Sequence, residues 1–335
     1  MITVEHLSKR YGDVLAVDDL SFTIEDGHIY GFLGPNGAGK STTLNIMTGC
    51  LAPTSGEIKI DGHDIYEEEK EAKKLLGYLP EIPPLYVDQT PREYLYFVAE
   101  AKGVKKSEID KEIDRVVEET HIEEMQNRLI KHLSKGYRQR VGIAQALLGN
   151  PSVIILDEPT VGLDPMQIIE IRELIAELGK KHTVILSSHI LSEIQAICEK
   201  VLIIYKGKLV VFDDLKNLGK TLSSGNEIEI MTEAEEEKVS DVIGQIEAIS
   251  SYEKLDDVEQ FHTYRLSTAM DNPYEVCKMV FRCFVANSVP LVKLNPIQTS
   301  LEDIFIELTS LEKEAEEMES IEAAREEYEE SKEAN

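Results

Sequence analysis

Residues 34–42 read Gly34-Pro35-Asn36-Gly37-Ala38-Gly39-Lys40-Ser41-Thr42. The first eight match the phosphate-binding pattern G-x-x-x-x-G-K-[ST] at every specified position. An apolar stretch at 29–33 predicts a buried strand before this loop, and residues 41–48 predict a helix after it. Glycines let successive backbone N–H groups surround an anion, and a helix N-terminus adds partial positive charge. The stretch therefore predicts a nucleoside triphosphate site, with Lys40 on the β- and γ-phosphates and Ser41 on Mg²⁺.

The composition is that of a globular protein with two domains. The chain has 335 residues, of which 42% are hydrophobic and 29% charged. No stretch approaches the roughly 20 consecutive apolar residues that a membrane-spanning helix needs. Residues 1–6 have neither a basic nor an apolar segment, so no signal peptide is expected. Four scattered cysteines lack metal-ligand spacing and are expected to be reduced thiols in a cytosolic protein.

The net charge argues against nucleic-acid binding. It is −28 at pH 7, and such a surface repels phosphate backbones. Part of the acidity is local, because residues 311–335 hold eleven Glu against two Lys and one Arg. This tail is expected to be a solvated helix or disordered. The alternative is a regulatory or dimer-stabilising arm, since its few apolar residues fall near heptad spacing.

Strand-like and helical segments alternate over residues 1–215 and predict an α/β domain with a mainly parallel sheet covered on both faces. Residues 64–76 predict a helix, and the segment 77–81 ends in a break. Residues 82–150 read as a helical insert. One of its helices starts with a capping box at Thr90-Pro91-Arg92-Glu93.

The pattern changes after a linker predicted at 216–226. Residues 227–310 predict a small α+β domain in the order β-α-β-β-α-β, the ferredoxin-like arrangement. A last helix is expected from Thr299 or Ser300, and nothing in this domain looks catalytic.

Two carboxylates follow the apolar segment 153–156. Ligands of open α/β sheets lie at the carboxyl ends of strands, where Asp157 could hold Mg²⁺ and Glu158 could polarise a water. His189 follows another apolar strand and could hold the γ-phosphate and this water. The alternatives, when each group is judged by itself, are that Asp157 and Glu158 are only a strand-end carboxylate pair and that His189 is only a structural histidine.

A set of motifs in a fixed order resembles the ATP-binding cassette (ABC) ATPases over residues 1–215. Its members are Tyr11, Gly34 to Thr42, Leu133-Ser134-Lys135-Gly136-Tyr137, Asp157-Glu158-Pro159-Thr160, Gly162-Leu163-Asp164 and Ser188-His189. The combination is far more specific than the phosphate-binding loop by itself.

The resemblance implies ATP and Mg²⁺ as cofactors and a head-to-tail dimer that encloses two ATP molecules. The second ATPase subunit is expected to be another copy of the chain. By position, Tyr11 would stack on adenine and Asp164 would belong to the D-loop. Ser134 and Gly136 would contact the γ-phosphate bound by the other subunit.

Two positions depart from the usual pattern of the family. The signature L-S-G-G-Q has Lys135 in place of its first Gly and Tyr137 in place of its Gln. The loop that usually ends in Gln ends here in Glu81, which can bind Mg²⁺ but cannot donate a hydrogen bond to water. We therefore predict that Glu81 is a metal ligand together with Ser41 and Asp157. The alternative is that Glu81 only faces solvent.

These departures and the extra C-terminal domain are similar to the ATPase subunits of export-type ABC transporters. That likeness implies a separate integral-membrane permease and a peripheral location on the cytoplasmic face of the cell membrane. Residues 83–87, with their apolar and aromatic side chains, are predicted to dock the permease. Local packing within the helical insert is the alternative for this segment.

Three other functions compete with transport. A soluble ABC ATPase acting on nucleic acid or ribosomes usually has two cassettes or a long coiled coil, and basic surfaces. A signalling GTPase would need an N-K-x-D motif, which is not visible here. A phosphotransferase is disfavoured, because Glu158 and His189 suit water as the nucleophile. The sequence does not identify the transported substrate.

Overall fold

The computed structural model describes residues 1–215, 217–218, 226–257, 260–270 and 272–297. Its contacts divide the chain into two units, Met1–Leu215 and Lys216–Asn335. The predicted helix at 299 or 300, the acidic tail 311–335 and most of the predicted linker lie outside the described residues.

The first unit alternates strands with helices. Its strands are β1 (Ile2–Tyr11), β2 (Val14–Ile24), β3 (Ile29–Leu33), β4 (Ser55–Ile60), β5 (His63–Asp64), β6 (Leu76–Leu79), β7 (Val153–Leu156), β8 (Thr183–Ser188), β9 (Lys200–Tyr205) and β10 (Lys208–Asp214). Its helices are α1 (Lys40–Met47), α2 (Glu69–Lys74), α3 (Pro91–Ala101), α4 (Ile109–Glu119), α5 (Lys135–Leu147), α6 (Pro165–Leu178) and α7 (Leu191–Ile197).

The strands of the first unit form two sheets. One is antiparallel, in the order β2-β1-β4-β5, and the other has the order β10-β9-β3-β8-β7-β6. In the second sheet β9, β3, β8, β7 and β6 are parallel, and β10 is an antiparallel edge strand. Every residue of β3, β7 and β8 is buried, as expected for continuous apolar strands covered on both faces.

Side chains from both sheets and from α1 form one hydrophobic core. Phe22 of β2 contacts Phe32 of β3 with ring centroids 6.4 Å apart, and both rings are buried. Leu44 and Met47 of α1 belong to the same core. The loop between β3 and α1 is therefore held at both ends by buried apolar side chains.

The helical insert begins as its sequence predicts. The hydroxyl of Thr90 accepts from the Glu93 N–H, and the Glu93 carboxylate accepts from the Thr90 N–H at 2.8 Å. Pro91 occupies the first helical position. The capping box is confirmed.

The predicted segment 64–76 is different in the structure. The helix is shorter, at Glu69–Lys74, and residues 76–79 form β6 of the parallel sheet. The sequence pattern did not predict strand β6, because Gly77 and Tyr78 read as turn residues in isolation. Pairing with β7 places them in a strand, and a Cβ at Gly77 would lie 2.4 Å from the Ala146 carbonyl oxygen. The glycine is needed for this close packing against α5.

The second unit has the predicted β-α-β-β-α-β order. Its elements are β11 (Asn226–Thr232), α8 (Glu236–Ile243), β12 (Ile249–Lys254), β13 (His262–Thr268), α9 (Pro273–Ala286) and β14 (Leu291–Ile297). The strands pair antiparallel in the order β12-β13-β11-β14, which is the ferredoxin-like arrangement. Tyr264 and Phe284 are the largest side chains of its core.

Within the described residues, none of the helices combines the length and the apolar character that crossing a lipid bilayer requires.

A nucleotide cleft at the carboxyl edge of the parallel sheet

Four neighbouring strands deliver the predicted site to one edge of the sheet. The phosphate-binding loop follows β3, His189 follows β8, Asp157 and Glu158 follow β7, and the segment with Glu81 follows β6. Because these strands are parallel, all four carboxyl ends meet at the same edge.

A cleft of ≈ 290 Å³ opens at this edge. It is lined by Ala16, Asn36, Gly37, Gly39, Lys40, Ser41, Thr42, Glu81, Glu158, Val161 and His189. Residues predicted from four separate parts of the sequence thus share one cavity.

The phosphate-binding loop is shaped by glycine. Gly39 has φ +104°, and a Cβ on it would lie 2.5 Å from the Ala16 carbonyl oxygen. Gly34 has no room for a side chain either, because a Cβ on it would lie 2.3 Å from the Ile204 carbonyl oxygen. A side chain at either position would force the loop away from the backbone segments beside it.

Lys40, the first residue of α1, is buried beneath the loop. Its Nζ donates to the carbonyl oxygens of Gly34, at 2.7 Å, and Pro35, at 3.2 Å. Burial lowers the pKa of this ammonium, and the carboxylates of Glu158, Asp157 and Glu81 oppose that shift. The three acidic groups thus favour the charged form of the lysine, which can neutralise phosphate charge.

A buried serine connects the two carboxylates of β7 to β8. The Ser187 hydroxyl donates to Asp157 Oδ1 at 2.6 Å and accepts from the Glu158 N–H at 2.8 Å. Glu158 has φ +48°, in the left-handed region that non-glycine residues seldom adopt. Ser187 thus stabilises the backbone turn at Glu158, and this turn points the carboxylates of Asp157 and Glu158 in different directions.

Glu158 contacts His189 across the cleft. Nδ1 of His189 lies 2.9 Å from one carboxylate oxygen of Glu158 and 3.1 Å from the other. A carboxylate can only accept, so Nδ1 is the donor. A neutral imidazole has a single N–H, and this ring can serve either Glu158 or a phosphate oxygen through it, but not both. The contact joins the predicted general base to the predicted phosphate sensor.

The remaining predicted ligands of ATP do not line this cleft within one chain. Tyr11 is exposed at the end of β1, with the Lys9 ammonium 5.3 Å from its ring. Ser134 caps α5 and is exposed, and Gly136 packs against Gln167. Asp164 caps α6 by accepting from the Gln167 N–H at 3.0 Å. A single chain therefore brings together the phosphate-binding and carboxylate groups but not the signature residues.

Sequence reasoning missed two groups at this edge. Ser187 was assigned only to a strand, and Glu193 of α7 was given no role. The available signal was the pair Ser187-Ser188, since two hydroxyls at the end of an apolar strand must find buried partners.

The oxygen donors at the cleft suit a metal ion that binds only a few protein side chains. Among the described residues, no three His, Cys, Asp or Glu side chains are arranged to hold a metal by themselves. The cleft offers the Ser41 hydroxyl and the carboxylates of Glu81 and Glu158, and Asp157 adjoins it at the end of β7. Mg²⁺ takes only one or two carboxylates and completes its shell with water and phosphate oxygens, so this oxygen donor set fits it.

The parallel sheet, the phosphate-binding loop and the strand-end carboxylates together define an ATPase of the phosphate-loop class. Residues 17–161 match the family model described as ABC transporter.

One relative matches the chain over almost its whole length. The bacitracin transport ATP-binding protein BcrA of Bacillus licheniformis is 37% identical over 318 residues, which cover 92% of this chain and 97% of that protein. This chain therefore belongs to the ATP-binding proteins of ABC transporters.

Solved structures agree with this assignment over the first unit. CbiO1 of Clostridium perfringens, described as part of the ABC transporter complex cbiONQ, is 30% identical with a TM-score of 0.60. The match covers 66% of this chain and 90% of that one. The ATP-binding cassette MJ0796, solved as a post-hydrolysis dimer bound to ADP and Pi, is 26% identical with a TM-score of 0.58, covering 64% and 99%. The chain is thus an ATPase subunit of a transporter, and a soluble ATPase acting on nucleic acid or ribosomes is not favoured.

Proposed function

We propose that this chain powers export through a separate membrane permease by ATP-driven, head-to-tail dimerisation. The observation that carries the proposal is the incomplete cleft. The phosphate-binding loop, Glu158 and His189 line it, whereas Ser134 and Gly136, at the N-terminus of α5, do not. A second chain that offers its α5 N-terminus would add hydroxyl and backbone donors to the γ-phosphate.

The first step in this proposal is binding. The loop N–H groups and Lys40 hold the phosphates, and Ser41, Glu81 and Asp157 would hold Mg²⁺, which would neutralise charge on the phosphate oxygens. Tyr11 contributes an exposed aromatic face for the adenine ring.

Glu158 then accepts a proton from the attacking water, and His189 positions the γ-phosphate and this water. General-base assistance of this kind contributes about 10²–10⁴-fold to a rate. Because His189 contacts Glu158 through Nδ1, it must exchange that hydrogen bond for one to the phosphate, or bind a proton on its second nitrogen. Closure of the dimer over the cleft is the event that favours this exchange.

The permease docks on an aromatic patch beside the Glu81 segment, which we define as Tyr86 and Phe97. Their ring centroids are 5.3 Å apart, and about half of each side chain is exposed. Tyr86 also packs on buried Tyr94, so local packing anchors the patch and still leaves an apolar surface. An exposed apolar surface rimmed by polar residues is typical of an interaction site.

Export, rather than import, rests on the likeness of the signature loop, Glu81 and the accessory domain to export-type subunits. The relative BcrA, named for bacitracin transport, extends over both units of this chain and supports a transport role. We place the chain at the cytoplasmic face of the membrane, attached through the permease.

The test is copurification with a membrane protein. A tagged Glu158→Gln chain is co-expressed with the polytopic membrane protein expected from the adjacent reading frame and purified in detergent with ATP and Mg²⁺. A stoichiometric complex supports the proposal. An adjacent frame without such a protein, or a chain that sediments with ribosomes instead, overturns it.

A further inference from the structure

A buried carboxylate outside the cleft connects the segments that carry Glu158 and His189. Glu193 of α7 is only 2% exposed. Its Oε2 accepts from the Thr160 hydroxyl at 2.6 Å and from the Ser188 hydroxyl at 2.9 Å. Thr160 lies two residues after Glu158, and Ser188 immediately precedes His189.

These contacts form a closed path, which we call the ring. It runs from the Glu193 carboxylate to the Thr160 hydroxyl and along the chain to Glu158. It then crosses the 2.9 Å contact to His189 and returns to Glu193 through the adjacent Ser188 hydroxyl. The Ser188 hydroxyl also accepts from the Ile190 N–H at 3.0 Å, which fixes the backbone on the far side of His189. A displacement of Glu193 must therefore change the positions of both groups that face the γ-phosphate.

Simple packing is a poor explanation for a carboxylate at this position. Oε1 of Glu193 has no hydrogen-bond partner among the described residues, and the Arg172 guanidinium, 3.8 Å away, supplies the nearby positive charge. A buried charge without full hydrogen bonding is costly, and an apolar residue would fill the same space without that cost. Arg172 belongs to α6, whose N-terminus is capped by Asp164, so the ring also connects to the predicted D-loop.

We propose that Glu193 is a positioning residue for ATP hydrolysis. It does not line the cleft and does not touch the nucleotide; it holds Glu158 and His189 at the spacing that hydrolysis requires. The inference rests on the ATPase activity of the chain and is independent of the transported substrate and of the direction of transport.

Three variants separate this role from packing. Glu193→Ala removes both hydrogen bonds, and Glu193→Gln keeps one oxygen that can accept both while it removes the charge. Gln195→Ala, two residues further along the same helix and exposed, is the matched control for an effect on α7 itself. The measurements are kcat and KM for ATP, the affinity for a fluorescent ATP analogue, and the thermal midpoint of each variant.

We expect Glu193→Ala to lower kcat by about 10–100-fold, because small misplacements of reacting groups have effects of this size. Nucleotide affinity should stay within about threefold, since the phosphate-binding loop is untouched. Glu193→Gln should recover most of kcat, and Gln195→Ala should match the wild type. A loss of packing would not lower kcat in Glu193→Ala while nucleotide affinity stays unchanged, and Glu193→Gln would not then restore kcat.

Thr160→Val and Ser188→Ala each remove one hydrogen bond to Glu193, and Ser188→Ala also removes the acceptor of the Ile190 N–H. These two variants provide the test if Glu193→Ala does not fold, and each should lower kcat several-fold. An unchanged kcat in all three ring variants overturns the proposal. A parallel loss of kcat, affinity and thermal midpoint, without rescue by Gln, also overturns it and assigns Glu193 to folding.

Discussion

Glu81 shows how one side chain changes the chemistry available at the cleft. It lines the cavity together with Ser41 and Glu158, on the loop that follows β6. A carboxylate at this position can bind a cation but cannot donate to a water, whereas a glutamine can donate. Its position in the cleft argues against a residue that only faces bulk solvent, and its role in metal binding stays a prediction.

We predict that Glu81→Gln weakens the response to Mg²⁺. The half-saturating Mg²⁺ concentration of the ATPase reaction should rise about tenfold, equivalent to ~1.4 kcal/mol, because a neutral amide oxygen replaces a charged ligand. ATP binding without Mg²⁺ should not change. Glu124→Gln, at an exposed glutamate that does not line the cleft, is the control. An unchanged Mg²⁺ requirement in the Glu81 variant would show that this carboxylate is not a ligand.

Residue types and spacings predicted the groups at the cleft, but not the groups that hold them in place. Lys40, Asp157, Glu158 and His189 sit in patterns whose chemistry is specific. Glu193 is an ordinary acidic residue on a short helix, and only the fold brings it against Thr160 and Ser188.

Helix α3 supports the aromatic patch that we propose as the docking surface. It carries Tyr94 and Phe97, and its first turn is stabilised by the capping box between Thr90 and Glu93. The backbone N–H of Thr90, followed by its hydroxyl, lowers the pKa of the Glu93 carboxyl below its usual value near 4.5.

Two variants test this cap. Thr90→Ala should lower the free energy of unfolding by about 1 kcal/mol, as for other N-cap residues. Because the folded pKa of Glu93 is depressed, its charge stabilises the fold above the unfolded pKa, and this contribution is lost as the pH falls through the folded value. The stability difference between wild type and Glu93→Gln should thus be full at pH 7 and vanish in acid. Urea unfolding at several pH values measures it, and a difference independent of pH would contradict the role of the charge.

The aromatic patch gives a prediction about assembly. Tyr86→Asp places a charge in the exposed apolar surface and should abolish copurification with the permease, while ATP affinity stays within about twofold. Tyr274→Asp, at an equally exposed tyrosine of the second unit, serves as the matched variant. Unchanged complex formation by the Tyr86 variant would remove the patch from the interface.

At the scale of secondary-structure elements, the alternation of strands and helices could be predicted from the sequence, but strand β6 could not. Its four residues, Leu76–Leu79, contain a glycine and a tyrosine and are followed by proline, so local preference favours a turn. Pairing with β7 in the sheet overrides that preference. The missed strand is the one that carries the Glu81 segment to the carboxyl edge, so the sequence predicted the residue without explaining its position.

The whole molecule combines an ATPase unit with a second, α+β unit. Periodicity predicted both, because each has its own alternation of apolar residues and its own core. The proposed dimer could not be worked out from periodicity. The proposal rests on the resemblance, and it is supported by the finding that Ser134 and Gly136 do not line the cleft of their own chain.

A mixture of two inactive variants tests whether the ATP site is shared between chains. Glu158→Gln removes the general base, and Ser134→Arg blocks the signature loop, so each homodimer should hydrolyse ATP at least 100-fold more slowly than the wild type. In a mixed dimer, the site with intact Glu158 faces the intact Ser134 of the other chain. Equal amounts should therefore recover about a quarter of the wild-type rate, because half of the randomly formed dimers are mixed and each has one working site.

A site completed within one chain predicts a different result, since neither variant could then repair the other and the mixture would stay inactive. Dilution separates the two cases again: the wild-type rate per chain should fall at concentrations below the dimer dissociation constant, while binding of a fluorescent ATP analogue persists. In the proposed dimer, binding needs only the phosphate-binding loop of one chain, and hydrolysis needs the donors of α5 from another. The physical reason is that Ser134 and Gly136 do not line the cleft of their own chain, so a second chain must supply these donors.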